Sequence, residues 1–313
     1  MTHVSARRGA LYVSVAATAW GTGGAAGSLL FETGGLGPVG VSLWRYLLGA
    51  AFLLALSLNS ARLTAHLTAH LSGRLSGRPS GRPSGRPSGR VLLIGAGMAV
   101  YQTAYFAAIA HSGVAVATVV TMGATPIFTA LGSHFLLREH LGRTALTALA
   151  AALTGLALLT GESALPTESG SAEALGIVLA LASAAGYAGV TLLSRRANED
   201  DPRAVAVGGF VVGAVCLAPF ALVEGVVPEV SWTSVALLVY LGAVPTALAY
   251  ALFFRALTAL RATTVSIISL GEAVGAALLG VLLFDERLTP LAWSGCVLLL
   301  AAVAVLAVRT DGA

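Results

Sequence analysis

Two residues of this chain carry a full charge inside long apolar runs, Arg45 and Glu272. Insertion scales put the cost of a charge at membrane depth at about 2.5–3.5 kcal/mol, so such a residue is met by protein groups or by water in a cavity. Glu272 stands near the middle of Ala262–Phe284, and Arg45 lies nearer the outer end of Pro38–Leu58. A guanidinium offers five donors to an anion; a carboxylate offers acceptors to a cation and exchanges a proton. Three readings stay open from the residues alone: both line a cavity, the two form a structural ion pair, or Arg45 snorkels outward.

Other polar and aromatic groups share that depth. Gln102 and Thr125 are polar near the middle of their runs, and Trp20, Tyr105, Tyr187, Tyr250 and Ser269 join them. With Arg45 and Glu272 these nine are the candidate substrate-binding residues. Pro126, in Gly123–Pro126, cannot donate to a helix ladder, and Gly271 weakens the run around Glu272. The two are candidate hinges. No enzyme constellation is present: no HExxH, phosphate loop, CxxC pair or nucleophile elbow. His66 and His70 stand four apart without further ligands, so no metal site and no cofactor are expected.

The composition says what must hold these groups. Of 313 residues 57% are hydrophobic and 10% charged, with mean hydropathy +0.86; a soluble domain is roughly 25% charged. This is a polytopic all-α membrane protein. Every one of its 18 basic residues is Arg. Cys216 and Cys296 both fall in apolar runs and are expected to be reduced packing residues.

Apolar runs predict ten helices: 10–31, 38–58, 91–110, 114–137, 144–160, 174–194, 204–223, 232–254, 262–284 and 290–308. A tight turn at His111-Ser112-Gly113 separates the third from the fourth. Twin Arg7-Arg8 precedes the first run, read as an uncleaved helix because it is long for a signal h-region. Residues 59–90, with tandem LTAH, LSGR and PSGR units, read as a flexible loop.

The chain also repeats itself. Leu131, Phe135, Glu139 and Leu141 fall on Leu278, Leu282, Glu286 and Leu288 at one offset, and Thr125-Pro126 on Glu272-Ala273. Pro38, Gly49 and Ala50 fall on Pro202, Gly213 and Ala214 at another. The expected organisation is a tail (1–9), a five-helix repeat (10–160), an external connector (161–173), a second repeat (174–308) and a tail (309–313). Because five is odd, the halves enter the membrane in opposite senses. With both termini cytoplasmic, all Arg residues except Arg45 and Arg287 fall inside spans' cytoplasmic connections, while outer connections hold Glu and Asp. The positive-inside rule accounts for the basic balance, and nucleic acid is not a partner.

Trp20-Gly21, WRYLLGAAFLLAL (44–56), ATPIFTALGSHFLLREHLGR (124–143) and SLGEAVGAALLGVLLFDERLTP (269–290) together resemble the EamA-type members of the drug/metabolite transporter superfamily. The resemblance covers both halves. It implies ten helices in two inverted repeats and secondary transport of a small metabolite, often efflux of an amino acid or related compound, by alternating access. Arg45, Pro126, Glu139, Glu272 and Glu286 match recurring family positions; Gly209 stands where the second half would repeat Arg45. The expected setting is a bacterial plasma membrane, with membrane lipid, a small-molecule substrate, a coupling proton at Glu272 and a homodimer as partners. A flippase for a lipid or lipid-linked sugar and a non-transporting scaffold or sensor are the alternatives. Substrate identity, direction of transport and coupling ion are not written in the sequence.

Overall fold

The structure is a computed structural model and describes residues 4–71, 89–139, 142–160, 171–196, 202–283 and 289–309. Among these the regular secondary structure is all helix, and the helices form ten rods: α1 (Ala6–Thr33), α2 (Pro38–Leu71), α3 (Gly89–Ser112), α4 (Val116–Leu136), α5 (Arg143–Thr160), α6 (Ser171–Arg196), α7 (Pro202–Glu224), α8 (Trp232–Leu257), α9 (Ala262–Leu283) and α10 (Pro290–Arg309).

The helix starts follow local chemistry. Ser5 accepts from the Arg8 amide and Ser231 from the Ser234 amide at 3.0 Å, capping α1 and α8. Pro38, Pro202 and Pro290 open α2, α7 and α10, where a missing amide hydrogen costs no bond. Glu224 caps α2 from a distance, its Oε2 accepting from the Val39 and Gly40 amides at 2.8 Å each.

Helical hydrogen bonding continues from Gly89 through Leu136, yet the segment folds back on itself. Tyr105 Oη and Thr118 Oγ1 are 2.8 Å apart, whereas thirteen residues of straight helix would separate them by about 20 Å. The reversal expected at His111-Ser112-Gly113 is therefore made without leaving helical geometry. Residues 59–71, read above as the start of a loop, are instead a continuation of α2, since Leu, Ala and Arg in that stretch are strong helix formers. Of the remaining expected loop, 72–88 lie outside the described residues and 89–90 already begin α3; Glu286 and 161–170 of the expected connector also lie outside them, while its last residues, 171–173, belong to α6.

Among the described residues, seven helices are long and apolar enough to cross a membrane. The others are central or short. Residues Ala262–Ser269 of α9 are all buried, and α1 supplies Ala10, Val13, Ala16, Ala19 and Trp20 to the core. Around α1, α8 and α9, the α3–α4 hairpin packs along α6, α2 along α7 and α5 along α10. The last pair touches backbone to backbone: a Cβ on Gly295 would fall 2.6 Å from the Gly155 carbonyl oxygen.

Candidate substrate-binding cavity

Two helices are interrupted beside the centre of the molecule. In α9, Leu270 ends one helical piece and Gly271 starts the next, with Leu270 N–H to Ile267 O and Ala273 N–H to Leu270 O both at 3.1 Å. These i→i−3 bonds tighten the joint. Glu272 thus lies in the first turn of a half-helix, where the peptide dipoles suit a carboxylate. In α8, Ala243–Leu248 is a π-helical turn around Pro245, an irregularity often found at functional sites. Its Thr246 hydroxyl donates to Leu241 O at 2.7 Å and accepts from Arg45 Nε at 3.2 Å.

Between these interruptions is a cavity. All nine candidate residues line it: Trp20 on α1, Arg45 on α2, Gln102 and Tyr105 on α3, Thr125 on α4, Tyr187 on α6, Tyr250 on α8, and Ser269 and Glu272 on α9. One chain supplies every wall, and α5, α7 and α10 contribute none. Arg45 does not snorkel; it is 7% exposed and held toward the cavity. Nor do Arg45 and Glu272 pair within 4.0 Å. Among the described residues the Thr246 contact is Arg45's one hydrogen bond, and the Glu272 carboxylate has none. The two side chains line the same cavity without contact.

The walls carry further open polar groups. Among the described residues, Trp20 Nε1, Tyr187 Oη and Ser266 Oγ are buried without a hydrogen-bond partner, and all three residues line the cavity. Buried donors are nearly always satisfied, so these three are available to a bound molecule. One end of the cavity is floored by aromatic rings. Trp20 meets Tyr250 and Phe253 edge-on at 5.1 and 5.3 Å, Tyr101 meets Tyr187 at 5.3 Å, and the Tyr101 and Tyr250 hydroxyls are hydrogen-bonded.

Sequence reasoning did not select Gly23, Gly24, Phe106, Met122, Ser183 or Ser266 for the wall, nor Thr246 behind it. A signal for Thr246 was present, since Pro245 sits mid-way along an apolar run.

Beyond the cavity the halves meet at both ends. At one, Trp44 Nε1 donates to Val226 O at 2.9 Å, Glu229 N–H to Gly34 O at 2.9 Å and Ser234 Oγ to Thr33 O at 2.9 Å. At the other, Arg195, held within its own half by donating from Nη1 to Leu257 O at 3.0 Å, places Nε 3.9 Å from Glu139 Oε1 of the first half.

An all-helical bundle around a charged, solvent-reached cavity is the architecture of a membrane transporter. The EamA-like transporter family model matches residues 7–161 and 174–308, and the chain belongs to that family, within the drug/metabolite transporter superfamily. Among curated proteins it is similar to the uncharacterized transporter YwfM of Bacillus subtilis, 28% identical over 301 residues, 95% of this chain and 92% of that one. A chain of known crystal structure superimposes with TM-score 0.76 at 21% identity, covering 95% of this chain and 97% of the other, which establishes the shared fold. The protein is a multi-pass membrane transporter and not an enzyme.

Proposed function

We propose that this protein is a secondary active transporter for a small zwitterion, an amino acid or close relative, working by alternating access. One observation carries the reading: a cation and a carboxylate line the same cavity without touching. Arg45 is placed to receive a carboxylate as a charge-assisted pair, and Glu272 to receive an ammonium. The orphan donors of Trp20, Tyr187 and Ser266 would bind the remaining polar atoms, and the aromatic floor an apolar side chain.

The two half-matches of the family model support two five-helix repeats, and their odd helix number supports opposite insertion with both termini in the cytoplasm. In that orientation the cavity lies toward the outer half and its aromatic floor closes the inner side, the posture of an exporter after release. Glu272, with no fixed partner, would exchange a proton when the ammonium leaves, so that proton entry drives efflux.

Proteoliposomes loaded with labelled amino acids test this directly. Wild type is expected to show counterflow and proton-driven flux, and Glu272→Gln to lose the pH dependence. Absence of flux for every zwitterion, with flux of a long-chain lipid instead, would replace this reading by a flippase.

A further inference from the structure

The cavity does not end its polar lining at its floor. On α4, Thr121, Thr125, Thr129 and Ser133 recur every four residues and so share one face. All four are buried, Thr129 and Ser133 completely. On α9, Ser269, Ser266 and Thr263 recur every three residues and are buried as well. The two rows converge: Thr263 Oγ1 lies 3.2 Å from Ser133 Oγ. Thr121, Thr125, Ser266 and Ser269 are also cavity wall, so the rows form one seam running from the cavity toward the Glu139–Arg195 end.

Hydroxyls between membrane helices often serve as interhelical glue. This seam does that poorly. Thr125 and Thr129 donate to carbonyls of their own helix, at 2.7 and 2.8 Å, and Ser269 does the same at 2.9 Å. Ser266 Oγ, 2% exposed, donates to nothing. At the far end Glu139 Oε2 is buried without a partner while its other oxygen faces Arg195. Thr121 ties α4 to α6 instead, donating to Ala180 O at 3.2 Å, and among the described residues Ser133–Thr263 is the one bridge between α4 and α9 within the seam.

We propose that this seam is the closed half of the permeation path, which rests on the transport reading above. When α9 bends at its joint near Leu270 and α4 at Pro126, whose missing amide hydrogen weakens an otherwise continuous helix, the Thr129, Ser133, Thr263 and Ser266 hydroxyls become the wall along which a polar substrate leaves. The Glu139–Arg195 pair is the latch at its mouth, and its opening frees both groups for water.

The test uses single cysteines in a chain carrying Cys216→Ser and Cys296→Ala. Thr129→Cys, Ser133→Cys and Thr263→Cys are labelled with a small charged thiol reagent applied from the Glu139 side of oriented vesicles. The expected result is labelling at all three, accelerated several-fold by Glu139→Gln. Ser42→Cys, a buried hydroxyl position at the opposite end, should stay unreactive. The double variant Ser133→Cys/Thr263→Cys, once oxidised, should abolish flux yet still bind substrate in the cavity. Three unreactive seam cysteines in protein that transports would overturn the proposal, as would undiminished flux through the oxidised double variant. If no substrate moves through wild type, the transport reading fails instead, and the labelling pattern still decides whether the seam opens.

Discussion

Arg45 and Thr246 are 201 residues apart in the chain and share a hydrogen bond of 3.2 Å that joins the two halves inside the cavity wall. Thr246 reaches that position because the π-helical turn at Pro245 rotates it toward α2, and its own proton is committed to Leu241 O. Its lone pair therefore has one role, aiming a guanidinium that has no other bond. Thr246→Val keeps the side-chain shape and removes the acceptor. A hydrogen bond to a charged group contributes about 1.5–3 kcal/mol, so the KM for a carboxylate-bearing substrate should rise roughly tenfold or more while kcat changes little. Thr246→Ser should restore it, and uptake kinetics across the three proteins measure the difference.

Glu272 makes the complementary prediction. Glu272→Gln keeps the volume and removes both the charge and the exchangeable proton. Wild-type flux should depend on the pH gradient, and the variant's flux should not, while downhill exchange between equal pools should persist. Parallel flux measurements with a pH-sensitive dye inside the vesicles would show proton movement coupled to substrate in wild type alone. Identical pH profiles would remove Glu272 from the coupling step.

Much of the cavity was legible in the sequence because the membrane makes polarity expensive. Arg45, Glu272, Gln102 and Thr125 stand out where hydrocarbon would not tolerate them, and all four reach the cavity. Gly271, whose backbone freedom weakens a helix, stands where α9 breaks. What escaped was geometry without a polarity signal. Ser183 and Ser266 are small and common in packed membrane helices, so type and spacing do not separate wall from glue. The π turn depends on how α8 accommodates Pro245 against Gly23, whose added Cβ would fall 3.1 Å from that ring. The helical extension of α2 was missed because a tandem repeat resembles a linker, while its first residues are helix formers.

Gly155 and Gly295 carry a stability prediction remote from the site. A Cβ on Gly295 would meet Leu159 N at 2.5 Å and Gly155 O at 2.6 Å, backbone atoms that move only if α5 and α10 separate. Overpacking of this kind costs about 1–3 kcal/mol. Gly295→Ala should lower the melting temperature in detergent by several degrees, leaving substrate KM unchanged for the protein that remains folded. Fluorescence-detected size exclusion after heating gives the first quantity and uptake gives the second.

Glu224 closes the end of the molecule where α1 meets α2. Its carboxylate binds two otherwise unpaired amides at the start of α2, and its chain neighbour Val226 receives Trp44. Removing a cap costs about 1 kcal/mol. Glu224→Ala should loosen this end, raising the labelling rate of a cysteine placed at Val39, while Glu224→Gln, which retains an acceptor oxygen, should stay close to wild type.

Trp20 and Tyr46 separate binding from stability. Both are large and buried, at 7% and 0% exposure. The Tyr46 hydroxyl donates to Met98 O at 2.8 Å, and its ring stacks on Phe210 at 5.5 Å; the residue is not cavity wall. Trp20 Nε1 has no protein partner and lines the cavity. Tyr46→Phe removes a buried hydrogen bond to a carbonyl that also accepts within its own helix and should cost about 0.5–1.5 kcal/mol of stability with little change in KM. Trp20→Phe keeps most of the edge-on packing against Tyr250 and Phe253 but removes a donor that the fold itself does not use. It should leave the melting temperature within a few degrees of wild type and raise KM several-fold. If instead Trp20→Phe unfolds the protein and leaves affinity intact, the indole is packing, and the cavity binds its substrate through the charged pair alone.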